Sequence, residues 1–185
     1  MGILEFNNRL GKEESNISAT EVRLGEGKAP KYAIRCAEMF SSEMTGMEDC
    51  APCDWVKTGG ARTASFDSSG KLNGDARIIG KDPIVQMDYG PWAPVLQEFM
   101  YTGNKIEEID IYRLTDINGE IVQIQQLKYS TCMVKTYDQE GDKILFSFCF
   151  VTLEDLQMSY KQDGTKIGQV GMQFDFTTLA VKSTS

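Results

Sequence analysis

The second half of the chain is dominated by alternating apolar and polar residues, the pattern of β-strands that bury one face. Ile109 and Ile111 alternate with acidic residues, which is the period of two that a half-buried strand shows. The even positions of 144–150 carry one isoleucine and three phenylalanines, which predicts a central strand with an aromatic face. Ile167 to Phe176 close the series. We therefore expect consecutive strands from Lys105 onward.

Turn residues separate these predicted strands at short intervals. Asn118-Gly119 is the strongest short-range signal of a β-hairpin. Polar turns are predicted at Asp138–Asp142 and at Gln162–Gly164. The long apolar stretch between the first two turns continues as strand, with a bend near Lys128–Ser130. Short connections of this kind favour antiparallel neighbours.

One α-helix is predicted before these strands, over about residues 92–102. Prolines at 91 and 94 fit the first turn of a helix, where proline is tolerated. Gly103 supplies a C-terminal stop. An apolar stripe at helical spacing predicts packing against a sheet, and its members are Val95, Leu96, Phe99 and Met100.

The pattern as a whole predicts one mainly β domain: a compact antiparallel β-barrel or two-sheet sandwich with one helix and a looser N-terminal third. The 185 residues are enough for a single domain with its own core. Residues 1–75 are expected to form an arm and loops, with short strands at 21–24 and within 32–37. The stretch 66–75 is expected to form a hairpin or loop rather than a calcium site, because Lys71 occupies a ligand position.

Composition removes several classes of function. The net charge is −8 and no Lys/Arg cluster is present, which argues against binding nucleic acid or anionic lipid. Histidine is absent, so catalytic arrangements and metal sites that require imidazole are impossible. No apolar run approaches the ~18–20 residues of a membrane span, and the first thirty residues lack the apolar core of a cleavable signal. We expect neither an enzyme nor a cofactor.

The five cysteines suggest reduced thiols rather than disulfides, because their number is odd and no secretory signal precedes them. Cys50 and Cys53 form a C-x-x-C, which raises a redox pair or half of a zinc site as possible interpretations. The acidic segment before Cys50 would raise the pKa of the thiol, and no second C-x-x-C exists. A structural or incidental pair is the favoured interpretation.

The order of elements resembles the haemolysin-coregulated protein (Hcp) family, the inner-tube proteins of bacterial type VI secretion systems. Members show an apolar helix, then Thr-Gly-Lys, then a strand ending in Tyr-Arg. Here the helix leads into Thr102-Gly103-Asn104-Lys105 and the strand Ile109–Leu114. A "Lys-Ile-x-Phe-x-Phe" stretch follows at 143–148, and a "Tyr-x-x-x-Asp-Gly" turn at 160–164. The resemblance covers residues 78–178 of the chain.

The resemblance implies a structural protein. Such a chain would form a homo-oligomeric, hexameric ring, and the rings would stack into a tube that a contractile apparatus expels. It would be virulence-associated, bacterial and cytoplasmic before assembly, then secreted through the apparatus without a cleavable signal peptide. Its partners would be other secretion-apparatus components and effector cargo, and a related tail-tube protein fits the same pattern. A monomeric ligand-binding or recognition β-barrel is the alternative that the strand pattern leaves open.

Within a tube, the stretch 38–60 is the expected contact with a neighbouring subunit or ring. Methionine and tryptophan suit adaptable interfaces. The other interpretation is that these residues complete the barrel as ordinary core. The predicted apolar anchors are Met39, Phe40, Met44, Met47 and Trp55.

Hydrogen exchange should distinguish the two interpretations of residues 38–60. If this stretch orders on association, its amides exchange faster in the monomer than in the assembly, because ordering entropy is recovered only on binding. Comparing monomer and assembly by mass spectrometry gives the measurement. Equal, strong protection in both states would rule the interface interpretation out and leave the fold prediction intact.

Overall fold

The computed structural model describes residues 30–40, 47, 49–62, 65–66, 69, 72–73, 78–178 and 180–184. These residues form twelve strands and one α-helix. The N-terminal strands are β1 Tyr32–Arg35, β2 Cys50–Cys53, β3 Trp55–Arg62, β4 Ser65–Phe66, β5 Leu72–Asn73 and β6 Ile78–Asp88. Helix α1 spans Trp92–Thr102. The remaining strands are β7 Ile106–Ile117, β8 Glu120–Glu140, β9 Lys143–Cys149, β10 Thr152–Tyr160, β11 Lys166–Asp175 and β12 Ala180–Thr184.

Two antiparallel layers share one long strand. The large sheet has the order β12-β11-β10-β8-β7-β1-β2, and the small sheet has the order β3-β6-β9-β8. The 21-residue strand β8 belongs to both. Its N-terminal part pairs with β7 and β10, and its residues from Met133 onward pair with β9. The predicted β4–β5 hairpin is present as a separate pair.

The change of sheet within β8 coincides with a single residue in the left-handed region. Thr131 has φ 56°, a conformation that a β-branched residue rarely adopts. It lies between the last residues that pair with β10 and the first that pair with β9. The bend predicted near 128–130 is therefore confirmed, one residue further along.

The sandwich, rather than a closed barrel, is the form observed. On the side opposite β8, the chain passes from β2 in the large sheet to β3 in the small sheet through Asp54 alone. No pairing among the described strands joins the two sheets there, so the sheet is not closed. Strand β1 confirms the short strand predicted within 32–37, and the strand predicted at 21–24 lies outside the described residues. Strands β2 and β3 come from residues 50–62, which the sequence assigned to a looser arm. The structure thus extends the sandwich further towards the N-terminus than the pattern indicated.

The core lies between the two sheets and is strongly aromatic. Ile144, Phe146 and Phe148 are completely buried, which confirms the predicted central strand. The ring of Tyr129 on the large sheet meets Phe148 edge to face, with centroids 5.2 Å apart. It also meets Phe150 at 4.8 Å. Such edge-to-face pairs add about 0.5–1.5 kcal/mol beyond the burial itself.

The helix has the predicted bounds and packs its apolar side on the core. Trp92, Ala93 and Leu96 are buried, and the indole Nε1 of Trp92 donates to the carbonyl of Asp88 at 3.2 Å. Gly103 ends the helix with φ 65°, and its N–H donates to the carbonyl of Phe99. None of the helical residues in the described ranges forms a segment with the length and hydropathy that a bilayer crossing requires.

Gly80 provides the sharpest test of core packing. A Cβ at this position would lie 2.7 Å from Cε1 of Phe176 and 2.9 Å from Cζ of Phe150. We expect Gly80→Ala to lower the free energy of unfolding by about 1–3 kcal/mol, because the two rings must move. Chemical denaturation measures the change.

Gly168→Ala is the matched control, since a Cβ there meets nothing within 4 Å. It should leave stability unchanged or slightly raised. Equal stability of both variants would contradict the packing argument.

Candidate subunit interface

The strands β10, β11 and β12, here called the wing, extend the large sheet beyond β8. One face of the wing continues the face of the large sheet that packs on the core. Along β11, the side chains on this face are buried at Phe174 and exposed at Met172 and Val170. Phe174 is 6% exposed, and its ring meets that of Phe176 edge to face with centroids 4.3 Å apart. Met172 and Val170 follow at two-residue spacing on the same face, yet they are 45% and 62% exposed. Val181 lies opposite Phe174 on β12 and is 61% exposed.

These three side chains, Val170, Met172 and Val181, form what we call the apolar strip. Ile167, 63% exposed, lies at the bulged start of β11. Scattered apolar residues on a surface are normal, but a contiguous group on one face marks an interaction surface. The wing therefore carries an apolar surface that the described part of its own chain leaves exposed.

Hydrogen bonds hold the wing in place at the end where β10 turns into β11. The phenol of Tyr160 donates to the carbonyl of Gln123 at 2.7 Å. The side-chain amide of Asn118 donates to the carbonyl of Gln162 at 2.8 Å, which joins two neighbouring hairpin turns. Asn118 and Gly119 have φ 56° and 88°, which confirms the predicted hairpin.

At the far end of the wing, Asp175 organises the turn into β12. Its Oδ1 accepts from the hydroxyl of Thr177 at 2.6 Å and from the backbone N–H groups of Thr177 and Thr178 at 2.8 and 3.2 Å. These donors favour the ionised carboxylate and lower the pKa of Asp175 to about 2. The turn positions the edge strand that carries Val181.

The opposite lateral end of the molecule is the segment where β2 passes into β3, here called the corner. Lys143 contacts the carboxylates of Asp54 and Asp88 at 2.7 and 2.6 Å. Burial alone would lower the pKa of Lys143, but these two bonds outweigh it and the pKa is raised. Trp55 follows Asp54 directly and is 39% exposed. At the corner, an exposed tryptophan thus follows a residue of a charge cluster directly in the chain.

The side of the large sheet that faces away from the small sheet is polar and carries a row of alternating charges. Neighbouring strands place Arg35, Asp110, Lys128 and Glu154 side by side. The carboxylate of Asp110 is 1% exposed and accepts from Arg35 at 3.1 Å and from Tyr112 at 3.2 Å. These contacts compensate its charge where water is excluded.

The C-x-x-C lies in strand β2, and the geometry opposes both chemical interpretations. Side chains three residues apart on a strand point to opposite faces, so Cys50 and Cys53 do not face a common site. Burial raises the pKa of the Cys50 thiol to about 12 and that of Cys53 well above its ordinary value. None of the five cysteines, all of which are among the described residues, forms a disulfide. Within the described residues, no three Cys, Asp or Glu side chains are grouped as a metal site would need.

The residues predicted to form an interface differ in how far they are exposed to solvent. Met39 and Phe40 are 6% and 1% exposed and pack in the core of their own chain, as the core interpretation expects. Met47 is half-buried against the same core. Trp55 is the one with a substantial exposed surface among the four that the structure describes, and Met44 lies outside the described residues. A role for these residues at a subunit contact stays a prediction.

The apolar strip was not identified from the sequence as a candidate site. Its alternation predicted the strand correctly, but alternation names two faces without showing which is covered. One residue of the sequence could have pointed to this surface. Val181 is apolar and lies beyond residues 78–178, on a strand that the sequence pattern did not predict.

Comparison with family models and with curated proteins gives no match. Comparison with solved structures does. A structure described as a type six secretion system protein superposes with a TM-score of 0.72 and 11% identity, covering 82% of this chain and 98% of that one. The chain has the Hcp fold.

Two further Hcp structures support the assignment of the fold. Hcp1 from Salmonella typhimurium matches with a TM-score of 0.66 and 9% identity, over 82% of this chain and 97% of that one. Hcp1 from E. coli EAEC 042 matches with a TM-score of 0.58 and 10% identity, over 85% and 99%. The Hcp resemblance inferred from residues 78–178 is thus confirmed for the fold, with a strongly diverged sequence.

The turn at Asp175 gives a prediction for the wing. Replacing the hydroxyl donor in Thr177→Val should raise the pKa of Asp175 from about 2 towards the ordinary value of about 3.9. Because the folded pKa lies below the unfolded one, the stabilisation by this carboxylate is present above about pH 3.9 and is lost as the pH falls through 2. Carboxyl NMR titration measures the shift.

Thr165→Val is the control, since the hydroxyl and the backbone N–H of Thr165 act on Asp163 instead. It should leave the pKa of Asp175 unchanged. An unaltered Asp175 pKa in Thr177→Val would show that the hydroxyl does not hold the turn.

Proposed function

We propose that this protein is the structural subunit of a tube in a type VI-like secretion apparatus, assembled as stacked hexameric rings. The observation that carries the proposal is the structural match of 82% of this chain to a type six secretion system protein and to an Hcp1, which are themselves covered to 98% and 97%. The apolar strip supports it, because such a surface requires a partner. The role is structural rather than catalytic.

The surroundings of the chemical groups agree with a structural role. The C-x-x-C thiols are buried, and burial raises their pKa, which opposes the thiolate form that nucleophilic chemistry needs. On the polar sheet face, Arg35 is paired with Glu108 and Asp110, and Lys128 with Glu108. Secretion through the apparatus, and contacts with its other components and with effector cargo, belong to the same proposal.

The alternative, a monomeric ligand-binding module, fits the packing less well. Ligand sites in β-barrels require an interior space between the strands. Here the interior is filled by Tyr129, Phe146 and Phe148, which are at most 1% exposed. The packed aromatic core favours a tube subunit, whose partners bind on the outside.

Native mass spectrometry and negative-stain microscopy of the purified full chain test the proposal. We expect closed rings whose population rises with protein concentration, because association follows mass action. A monomer at high concentration that is stabilised by a small ligand in a thermal-shift screen would favour the alternative. A monomer without rings or tubes under any condition would overturn the tube assignment.

The wing should be required for this assembly. We expect the double variant Val170→Ser with Met172→Ser to shift association to higher concentration, since exposed apolar area contributes about 25 cal/mol per Å² when it is covered. Analytical ultracentrifugation measures the shift, and circular dichroism checks that the fold is retained. Tyr101→Ser removes a side chain that is 78% exposed elsewhere on the surface and should leave assembly unchanged. Equal loss in both variants would contradict a specific role of the wing.

A further inference from the structure

A small cleft opens between the two sheets at the margin of the aromatic core. It has a volume of about 180 Å³ and is walled by strands β1, β3, β7 and β8. Its polar lining comes from Tyr32, Thr58, Arg113 and Gln125. Liquid water occupies ~30 Å³ per molecule, so the cleft has room for a ligand of about six non-hydrogen atoms.

The cleft forms where three neighbouring strands change from apolar to polar at the same place. One cross-strand row on the face towards the small sheet is apolar and consists of Ile34, Ile111 and Leu127. The next row on this face, two residues away along each strand, consists of Tyr32, Arg113 and Gln125. Ile34 and Ile111 are buried, whereas Arg113 is exposed. The polar row therefore lies where the cover by the small sheet ends.

Strand β3 of the small sheet supplies the opposite wall. Val56 and Thr58 line the cleft and Lys57 between them does not, as the alternation of side chains on a strand requires. Val56 pairs with Val85, which is completely buried and fixes the inner part of this wall. The cleft thus combines a polar lining with apolar walls, which are formed by Val56, Ile111 and Leu127.

The electrostatic environment of the cleft favours an anion. Arg113 is the charged residue among those that line it, and it forms no ion pair with the described residues. The carboxylate of Asp155, on the next strand, instead accepts from Nε2 of Gln125 at 2.9 Å. A second cation lies close by, since Nζ of Lys31 is 5.6 Å from the centre of the Tyr32 ring. The guanidinium of Arg113 is therefore available to a ligand.

A carboxylate fits this arrangement better than a phosphate. A guanidinium binds a carboxylate through two parallel hydrogen bonds, and the hydroxyls of Tyr32 and Thr58 supply further donors. A phosphate dianion carries more charge than one guanidinium compensates, and apolar walls make its desolvation costly. The same walls suit a short hydrocarbon chain, as in ligand sites that place a few polar groups on an apolar surface.

We propose that this cleft binds a short aliphatic carboxylate, with its oxygens on Arg113 and its hydrocarbon chain between Val56 and Leu127. The site is independent of the tube function, which requires no small ligand. Two sources share this chemistry: a free short-chain acid and the carboxyl-terminal residue of a peptide.

Saturation-transfer difference NMR on the unaltered full chain tests the binding, because it detects weak ligands of both small proteins and large assemblies. The probes are butyrate, whose size matches the cleft, and N-acetylvaline, which resembles the end of a peptide. We expect saturation of the methyl groups of both probes. Butyramide, which lacks the charge, and inorganic phosphate should not bind. Tighter binding of N-acetylvaline indicates a peptide end, and tighter binding of butyrate a free acid. Absence of binding by both probes would overturn the proposal.

Arg113→Gln should weaken the binding of butyrate about 10-fold or more, because hydrogen bonds to a charged group are lost. Arg113→Lys should bind with intermediate affinity, since it keeps the charge and loses the planar fork. Lys57→Gln is the matched control, because it removes an equal charge from a residue that does not line the cleft, and it should bind normally. Equal weakening by Arg113→Gln and Lys57→Gln would show an effect of net charge alone and overturn the site.

A variant of the opposite wall tests the location independently. Thr58 is exposed, so Thr58→Phe should leave the core intact and fill the cleft. We expect it to abolish the binding of butyrate while Arg113 is unchanged, and circular dichroism checks that the variant folds. Normal binding by Thr58→Phe would show that butyrate binds elsewhere.

This proposal and the tube function fail separately when ring formation is measured in parallel by native mass spectrometry. If the unaltered chain forms rings and binds neither probe, the carboxylate site is wrong and the tube function stands. If it binds butyrate with the expected pattern of variants and never forms rings, the tube function is wrong and the carboxylate site stands.

Discussion

The whole architecture depends on one strand that serves two sheets. Strand β8 pairs with β7 and β10 before Thr131 and with β9 after it. The left-handed backbone at Thr131 costs energy for a β-branched residue, and it persists because the strands paired on either side fix both halves. Through this bend the layers come to face each other, and Tyr129 reaches the phenylalanines of β9.

Strand β8 also sets which part of the large sheet is covered by the small sheet and which part is exposed. The small sheet reaches β8 by way of β9, whereas the large sheet continues through β10 to β12. The core face is therefore closed over Ile109 and Tyr129, and it opens at Met172 and Val170. A surface that is apolar because it continues a core gives a physical reason for a partner to bind there.

The polar face of the large sheet shows how the fold accommodates many charges side by side. Opposite charges on adjacent strands stabilise a sheet through cross-strand pairs, and Lys128 bonds to Glu108 at 2.7 Å in this way. Asp110 is buried beneath its donors, one of which is the amide of Gln126 at 3.1 Å. Such pairing lets neighbouring strands carry opposite charges at short range.

The sequence by itself determined the elements whose signals are local. The alternation in 144–150 placed β9 at the centre, proline and glycine bounded α1, and Asn118-Gly119 set a hairpin, because each depends on residues a few positions apart. The short strand β2 was not predicted from the sequence, because four residues are too few to show a period of two clearly. Only the tertiary structure decided that Phe40 is core while Trp55 is exposed, and that Val170 lies outside the cover that buries Phe174. Burial depends on which distant strands meet a face, and that information is absent from the spacing of apolar residues along a single strand.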